Sequence, residues 1–150
     1  MAQDALALMD AVGWESANIV GISMGGMISL ELASIAPERV KSLSLMVTTR
    51  GKYTSDPRAV TLMRSRMAET NESVYDTRLA EIKMSGFPVL LIGSMKDILI
   101  PPIESIILKE RMDADHVHTL FFDNGGHGVT IQYIEEVSDG LVKTFQRSNL

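Results

Sequence analysis

The sequence predicts an α/β fold: a parallel sheet of about four strands flanked by helices, forming a single domain over residues 1–150. Three observations carry this prediction. Four runs of strand length are rich in Val, Ile and Leu with no polar alternation, the pattern of strands buried on both faces. Segments of helical period separate them, and a strand, helix, strand order implies parallel strands joined by crossovers. No internal repeat, low-complexity tract or Gly/Ser-rich linker divides the chain, and 150 residues at 45% hydrophobic composition suffice for one core.

In chain order, the first strand is expected at Asn18 to Ile22 and is followed by a helix over Met24 to Ala36. A second strand is expected at Ser42 to Val47, then helical segments at Pro57 to Ala68 and Val74 to Met84. Asp56 before Pro57 reads as an N-cap with proline at the first helical position, and Gly86 with Pro88 closes the next helix ahead of a third strand, Pro88 to Gly93. Pro101 and Pro102 open a helix to Met112, His118 to Phe122 makes the fourth strand, and a last helix is expected from about Thr130 to Gln146. Its residues Ile131, Ile134, Leu141, Val142 and Phe145 fall mostly three, four or seven apart, predicting one apolar face, which Gly140 weakens slightly. The ten methionines read as adaptable core filling.

Composition excludes several classes of function. The chain carries 14 basic and 19 acidic residues for a net charge of −5, with no basic cluster to neutralise phosphates, so no nucleic-acid partner is expected. No apolar run approaches the roughly 18 to 20 residues of a membrane span, and the opening MAQDALALMD has an acid where a signal peptide has basic residues, so a cytoplasmic protein is expected. With no cysteine there is neither disulfide nor thiolate chemistry, and a covalent nucleophile must be oxygen or nitrogen.

The chemistry-bearing motif is GISMGG, in which Ser23 lies between Gly21 and Gly25 where the first strand reverses into a helix. Such a turn strains the central residue and crowds the positions two before and two after it, which favours glycine at both. The strain lifts the Ser23 hydroxyl clear of the backbone at the carboxyl end of the strand, with the amide of Met24 placed to meet an oxyanion. A serine hydroxyl needs a base to take its proton. His127, in DNGGHGV, lies between the fourth strand and the final helix, flanked by Gly125, Gly126 and Gly128. His116 and His118 instead precede or begin a strand; spaced by two, they could share a face for a metal, but no third ligand lies nearby, and no metal or other cofactor is implied. The acid that would fix the imidazole is Asp97, in a loop after the third strand. Asp123 suits a turn and Asp56 a helix cap.

Together, GISMGG, GSMKDILIP and GGHG resemble the α/β-hydrolase family, whose serine, acid and histidine follow this chain order. APERVKSLSLM looks like the family's link from nucleophile helix to next strand, and DALALMDAVGWESANIVG like the helix leading into the nucleophile strand. The resemblance implies Ser23 as nucleophile, His127 as base, Asp97 as acid and the Met24 amide as an oxyanion donor, within the C-terminal part of the family's fold. It covers nearly the whole chain outside Gly51 to Met84, a reduced version of the family's cap. Relatives carry further strands and a loop, often His-Gly, that supplies a second oxyanion amide; no such loop precedes Ser23. The strand at Asn18 to Ile22 would then be an apolar edge, open to self-association. The expected function is a serine hydrolase acting on a small-molecule carboxylic ester or related acyl substrate through an acyl-enzyme. The alternative is a truncated, weakly active or inactive homologue that serves as a binding or assembly module or needs a complementing chain.

Overall fold

Helices and strands alternate along the chain in a computed structural model that describes residues 1–50 and 72–149. The first helix, α1 (Ala2–Ala11), leads into β1 (Ala17–Ile22), α2 (Met24–Ile35), a 3-10 turn (Pro37–Arg39) and β2 (Val40–Met46). Then come α3 (Glu72–Ser85), β3 (Val89–Ser94), α4 (Pro102–Arg111), β4 (Val117–Phe122), α5 (Val129–Gln132) and α6 (Ile134–Arg147). The helix expected at Pro57 to Ala68 and its cap Asp56 lie outside the described residues. No helix among the described residues is long and apolar enough to cross a membrane.

The four strands form one parallel sheet in the order β1-β2-β3-β4. Because all four strands run parallel, every loop that follows a strand emerges at the same end of the sheet. Alternation along the two central strands builds a core on each face. Leu43 and Leu45 of β2 and Val89 and Leu91 of β3 pack against α1 to α4, with Leu30, Ala33, Leu79, Ile82 and Leu108. Met46, Leu90 and Ile92 face the other way, toward Val129, Val137 and Leu141 of the last two helices. The surface around α3 is pinned by the Arg78 guanidinium on the Glu31 carboxylate and by Ser34, whose hydroxyl donates to Glu81 Oε2 at 2.8 Å.

Burial on both faces is confined to the central strands. The outer strand β1 leaves Val20 and Ile22 exposed at 43% and 45%, and both align with Ser44 and Met46 of β2. They lie on the face covered by α5 and α6, beyond the reach of those helices.

Two expectations for the C-terminal helix are corrected. The helix is broken at Tyr133, whose backbone (φ −129, ψ 50) leaves the helical region. Its ring stacks on Phe122 with centroids 4.2 Å apart, which holds the break against β4. The packed face also differs from Ile131, Ile134 and Val142, which are all exposed; Val137 and Thr144 are buried instead, with Leu141 partly so. Gly140 lies at the centre of that contact. A Cβ there would come 2.7 Å from the Leu120 side chain, so the glycine lets α6 approach the sheet closely.

Candidate active site

The nucleophile candidate is set by backbone geometry. Ser23 follows the last residue of β1 and precedes the first of α2, with φ 53 and ψ −118, a conformation that side-chain-bearing residues rarely adopt and that costs of order 1–3 kcal/mol. Its amide donates to the Met46 carbonyl (2.9 Å), extending the β1–β2 ladder by one bond. Its carbonyl accepts from the amides of Gly26 (3.0 Å) and Met27 (3.4 Å), which start α2, and from the Thr48 hydroxyl (2.6 Å). The amides of Met24 and Gly25 precede those first intrahelical bonds, at the positive end of the helix dipole.

The glycines around this turn are not equivalent. A Cβ on Gly21 would lie 2.4 Å from both the Gly25 carbonyl oxygen and the Ser29 hydroxyl, so β1 and α2 meet there with no room for a side chain. At Gly25, by contrast, a Cβ would meet no atom of the described residues within 4 Å. The expectation that Gly25 is sterically required is therefore corrected. The second constrained position is Gly26, where a Cβ would sit 2.5 Å from Thr48 Cβ and Oγ1.

The acid and base candidates are held by side-chain hydrogen bonds. Asp97 follows β3; its side chain is 1% exposed, and Oδ1 accepts from the amides of Leu99 (2.8 Å) and Ile100 (3.0 Å). Its other oxygen, Oδ2, lies 2.7 Å from His127 Nδ1. An ionised carboxylate only accepts, so Nδ1 donates to it, and in the neutral ring Nε2 is the acceptor on the opposite side.

The His127 loop is tied to the Asp97 loop by its backbone as well. The Gly125 carbonyl accepts from the Lys96 amide (3.1 Å) and from the Ser94 hydroxyl, and Lys96 Nζ donates to Asn124 Oδ1 (2.8 Å). A Cβ on Gly125 would lie 2.9 Å from Ser94 Oγ, so this close approach depends on glycine. Gly126 and Gly128 are free of such crowding.

Ser23, Asp97 and His127 thus follow the carboxyl ends of β1, β3 and β4, at one end of the sheet. Asp97 and His127 are joined directly; no hydrogen bond links the Ser23 hydroxyl to His127 among the described residues. Elsewhere, the His116 Nε2 atom is buried without a partner among the described residues, and burial, Arg147 and His116 hold the His118 imidazole below its ordinary range. No cluster of three His, Asp or Glu among the described residues could hold a metal ion.

Four polar residues of this region carry no local signature in the sequence: Thr48, Thr49, Ser94 and Glu104, all buried. Thr49 Oγ1 donates to Glu104 Oε2 at 2.7 Å. Burial raises the Glu104 pKa, against the lowering effects of the Thr49 bond and the Arg50 charge.

Comparisons with known proteins agree with this architecture. A 46-residue segment, 31% of the chain, is 48% identical to part of RutD of Azorhizobium caulinodans, a proposed carbamate hydrolase, and spans 17% of that protein. This match therefore covers far less than two thirds of the relative's length. Among solved structures, the meta-cleavage product hydrolase of Pseudomonas fluorescens superposes with a TM-score of 0.74 at 21% identity, over 97% of this chain and 70% of that one. A serine hydrolase from Cycloclasticus zankles superposes with a TM-score of 0.72 at 18% identity, over 95% and 68% of the two chains. The family model for the alpha/beta hydrolase fold matches residues 1–77. The chain belongs to the alpha/beta hydrolase family.

Proposed function

We propose that this chain is a serine hydrolase of carboxylic esters or related acyl compounds, with Ser23 as nucleophile, His127 as general base and Asp97 as the acid that orients it. The observation that carries this reading is the 2.7 Å bond between a fully buried Asp97 and His127 Nδ1, which leaves Nε2 to accept a proton. The strained turn at Ser23 supports it, because a positive φ on a serine at a strand-to-helix reversal needs a compensating use. In the reaction, Ser23 Oγ attacks the acyl carbonyl as its proton passes to His127, and the Met24 amide donates to the oxyanion. His127 then protonates the leaving group, and water activated by the same imidazole releases the acid from the acyl-enzyme. The carbamate named for one relative shares a carbonyl bonded to a heteroatom with an ester, so both fall within this substrate class.

A fluorophosphonate probe and p-nitrophenyl acetate test the reading together. Wild type should label on Ser23 and turn over the ester. Ser23→Ala and His127→Ala should each lose about 10⁵-fold or more in kcat, and Asp97→Asn about 10- to 100-fold less than that, since the three act as a unit. Equal turnover by wild type and Ser23→Ala would refute the reading. The second reading, an assembly module, is favoured by the exposed Val20 and Ile22 on the outer strand β1. An unlabelled Ser23 together with a native mass above the monomer would select it.

A further inference from the structure

The segment after β2 combines three features. Val47 has φ 42, a left-handed conformation exceptional for a β-branched residue, yet it is fully buried and its amide donates to the Ile92 carbonyl at 2.8 Å. The next two residues, Thr48 and Thr49, are also fully buried. Their hydroxyls are committed to separate parts of the site: Thr48 to the Ser23 carbonyl and Thr49 to the carboxylate of Glu104.

Each partner belongs to one half of the candidate site. The Ser23 carbonyl is the origin of α2 and of the elbow. Glu104 lies in the first turn of α4, where its amide bonds the Pro101 carbonyl, and α4 follows directly on the loop in which Asp97 binds the amides of Leu99 and Ile100. Strand β2 also lies between β1 and β3 in the sheet, so the two threonines leave it midway between the nucleophile and the acid. Thr48 is seated against Gly26 with no space for a Cβ, which fixes its approach to Ser23.

We propose that Thr48 and Thr49, with Glu104 as anchor, are positioning residues that clamp the Ser23 elbow and the Asp97 loop to the same end of β2. A hydroxyl is needed at each position because the partly buried Ser23 carbonyl and the buried Glu104 carboxylate each receive one donor from it. The strained φ of Val47 belongs to the same device. It turns the chain sharply at the strand end, so that consecutive side chains reach opposite partners.

This inference rests on Ser23 as nucleophile, and its test separates the two claims. Thr48→Val and Thr49→Val keep the shape and lose the donor, whereas Thr48→Ser and Thr49→Ser keep the donor. At equal folded content by circular dichroism, each valine variant should react with the fluorophosphonate about tenfold or more slowly than wild type, and each serine variant should recover most of that rate. With p-nitrophenyl acetate the loss should fall on kcat and leave KM in place. Valine variants that label at the wild-type rate, or serine variants that fall as far as the valine ones, overturn the clamp. Failure of the underlying reading looks different: wild type takes no label, or Ser23→Ala labels equally. In that event amide hydrogen exchange at Gly26 and Met27, whose protons bond the same Ser23 carbonyl as Thr48, decides. Faster exchange in Thr48→Val than in Thr48→Ser supports the clamp, and equal exchange in the two overturns it.

Discussion

The two halves of the candidate site are held by different forces. On the nucleophile side, every hydrogen bond of Ser23 among the described residues runs through its backbone, and its position follows from a strained φ and from two glycines with no room for a Cβ. The acid–base side is a web of side-chain bonds, Asp97 to His127 and to two amides, Ser94 to the Gly125 carbonyl and Lys96 to Asn124. The first half is therefore sensitive to volume and indifferent to protons. The second is followed by the helix that carries the buried Glu104, whose pKa burial raises, so it should respond to pH. The contrast suits the chemistry assigned to each: a nucleophile needs a fixed place, whereas a base and its acid need a fixed proton.

The sharpest challenge to this division is a pair of glycine substitutions four residues apart. Gly21→Ala drives a methyl to 2.4 Å from a backbone carbonyl that α2 cannot move without breaking its first turn. A loss of about 3 kcal/mol is expected, at the upper end of overpacking costs. Gly25→Ala meets no contact among the described residues and lies within a helix, where alanine is favoured, so it should be neutral or more stable by up to about 1 kcal/mol. Urea unfolding at pH 5 and pH 7 measures both; for each variant the change should be the same at the two pH values. Equal losses at Gly21 and Gly25, or a pH-dependent loss at Gly21, would show that the elbow is not held by volume.

This pair also marks what the sequence could reveal. The parallel sheet was legible because an unbroken apolar run of strand length suits a strand buried on both faces, and the observed strands start and end within two residues of the expected positions. Asp97 and His127 were legible as an acid and a histidine in loops that follow strands, and the fold brings them together across thirty positions of sequence. Gly25 and Gly26, however, are adjacent and chemically identical. Which one is constrained depends on where Thr48 crosses α2, a tertiary fact with no local signature. Thr48, Thr49 and Glu104 were hidden for a related reason: a polar residue past the end of a strand or in a first helical turn reads as solvated until its burial is known. The break at Tyr133 was invisible to helical periodicity because it rests on a ring stacked against another strand.

Glu104 offers a pH-dependent contrast to the glycines. Its folded-state pKa lies above the ordinary 4.5 because of burial, with the Thr49 bond and the Arg50 charge opposing that rise. Between 4.5 and the raised value the native state holds a proton that the unfolded chain has lost, so stability falls as pH rises through that window. Glu104→Gln cannot ionise and retains an acceptor for Thr49. Relative to wild type it should therefore gain stability progressively from pH 4 to pH 7, as read by urea unfolding at unit steps. A difference that stays flat, or that shrinks toward pH 7, would mean that Arg50 and Thr49 outweigh burial and that this half of the site is less dependent on protonation than the contrast requires.

The smallest effect expected lies on β4, the strand that delivers the His127 loop. His118 pairs in register with Leu90 of β3, and its imidazole is held below the ordinary 6.5 by burial first, then by the charge of Arg147 and by His116. For a base the sign is opposite to that of Glu104. Below 6.5 the unfolded chain takes up a proton that the native state resists, so wild type loses stability as pH falls through that region and keeps it in full above. His118→Gln removes the titration and should narrow the stability gap between pH 7 and pH 5. The change should be smaller than that at Glu104, because His118 is only partly buried and solvent screens its neighbours. Urea unfolding of both proteins at pH 5, 6 and 7 resolves it, with His116 and Arg147 unchanged in both. Parallel curves for wild type and His118→Gln would remove His118 from the pH-responsive half and leave Glu104 to carry that response.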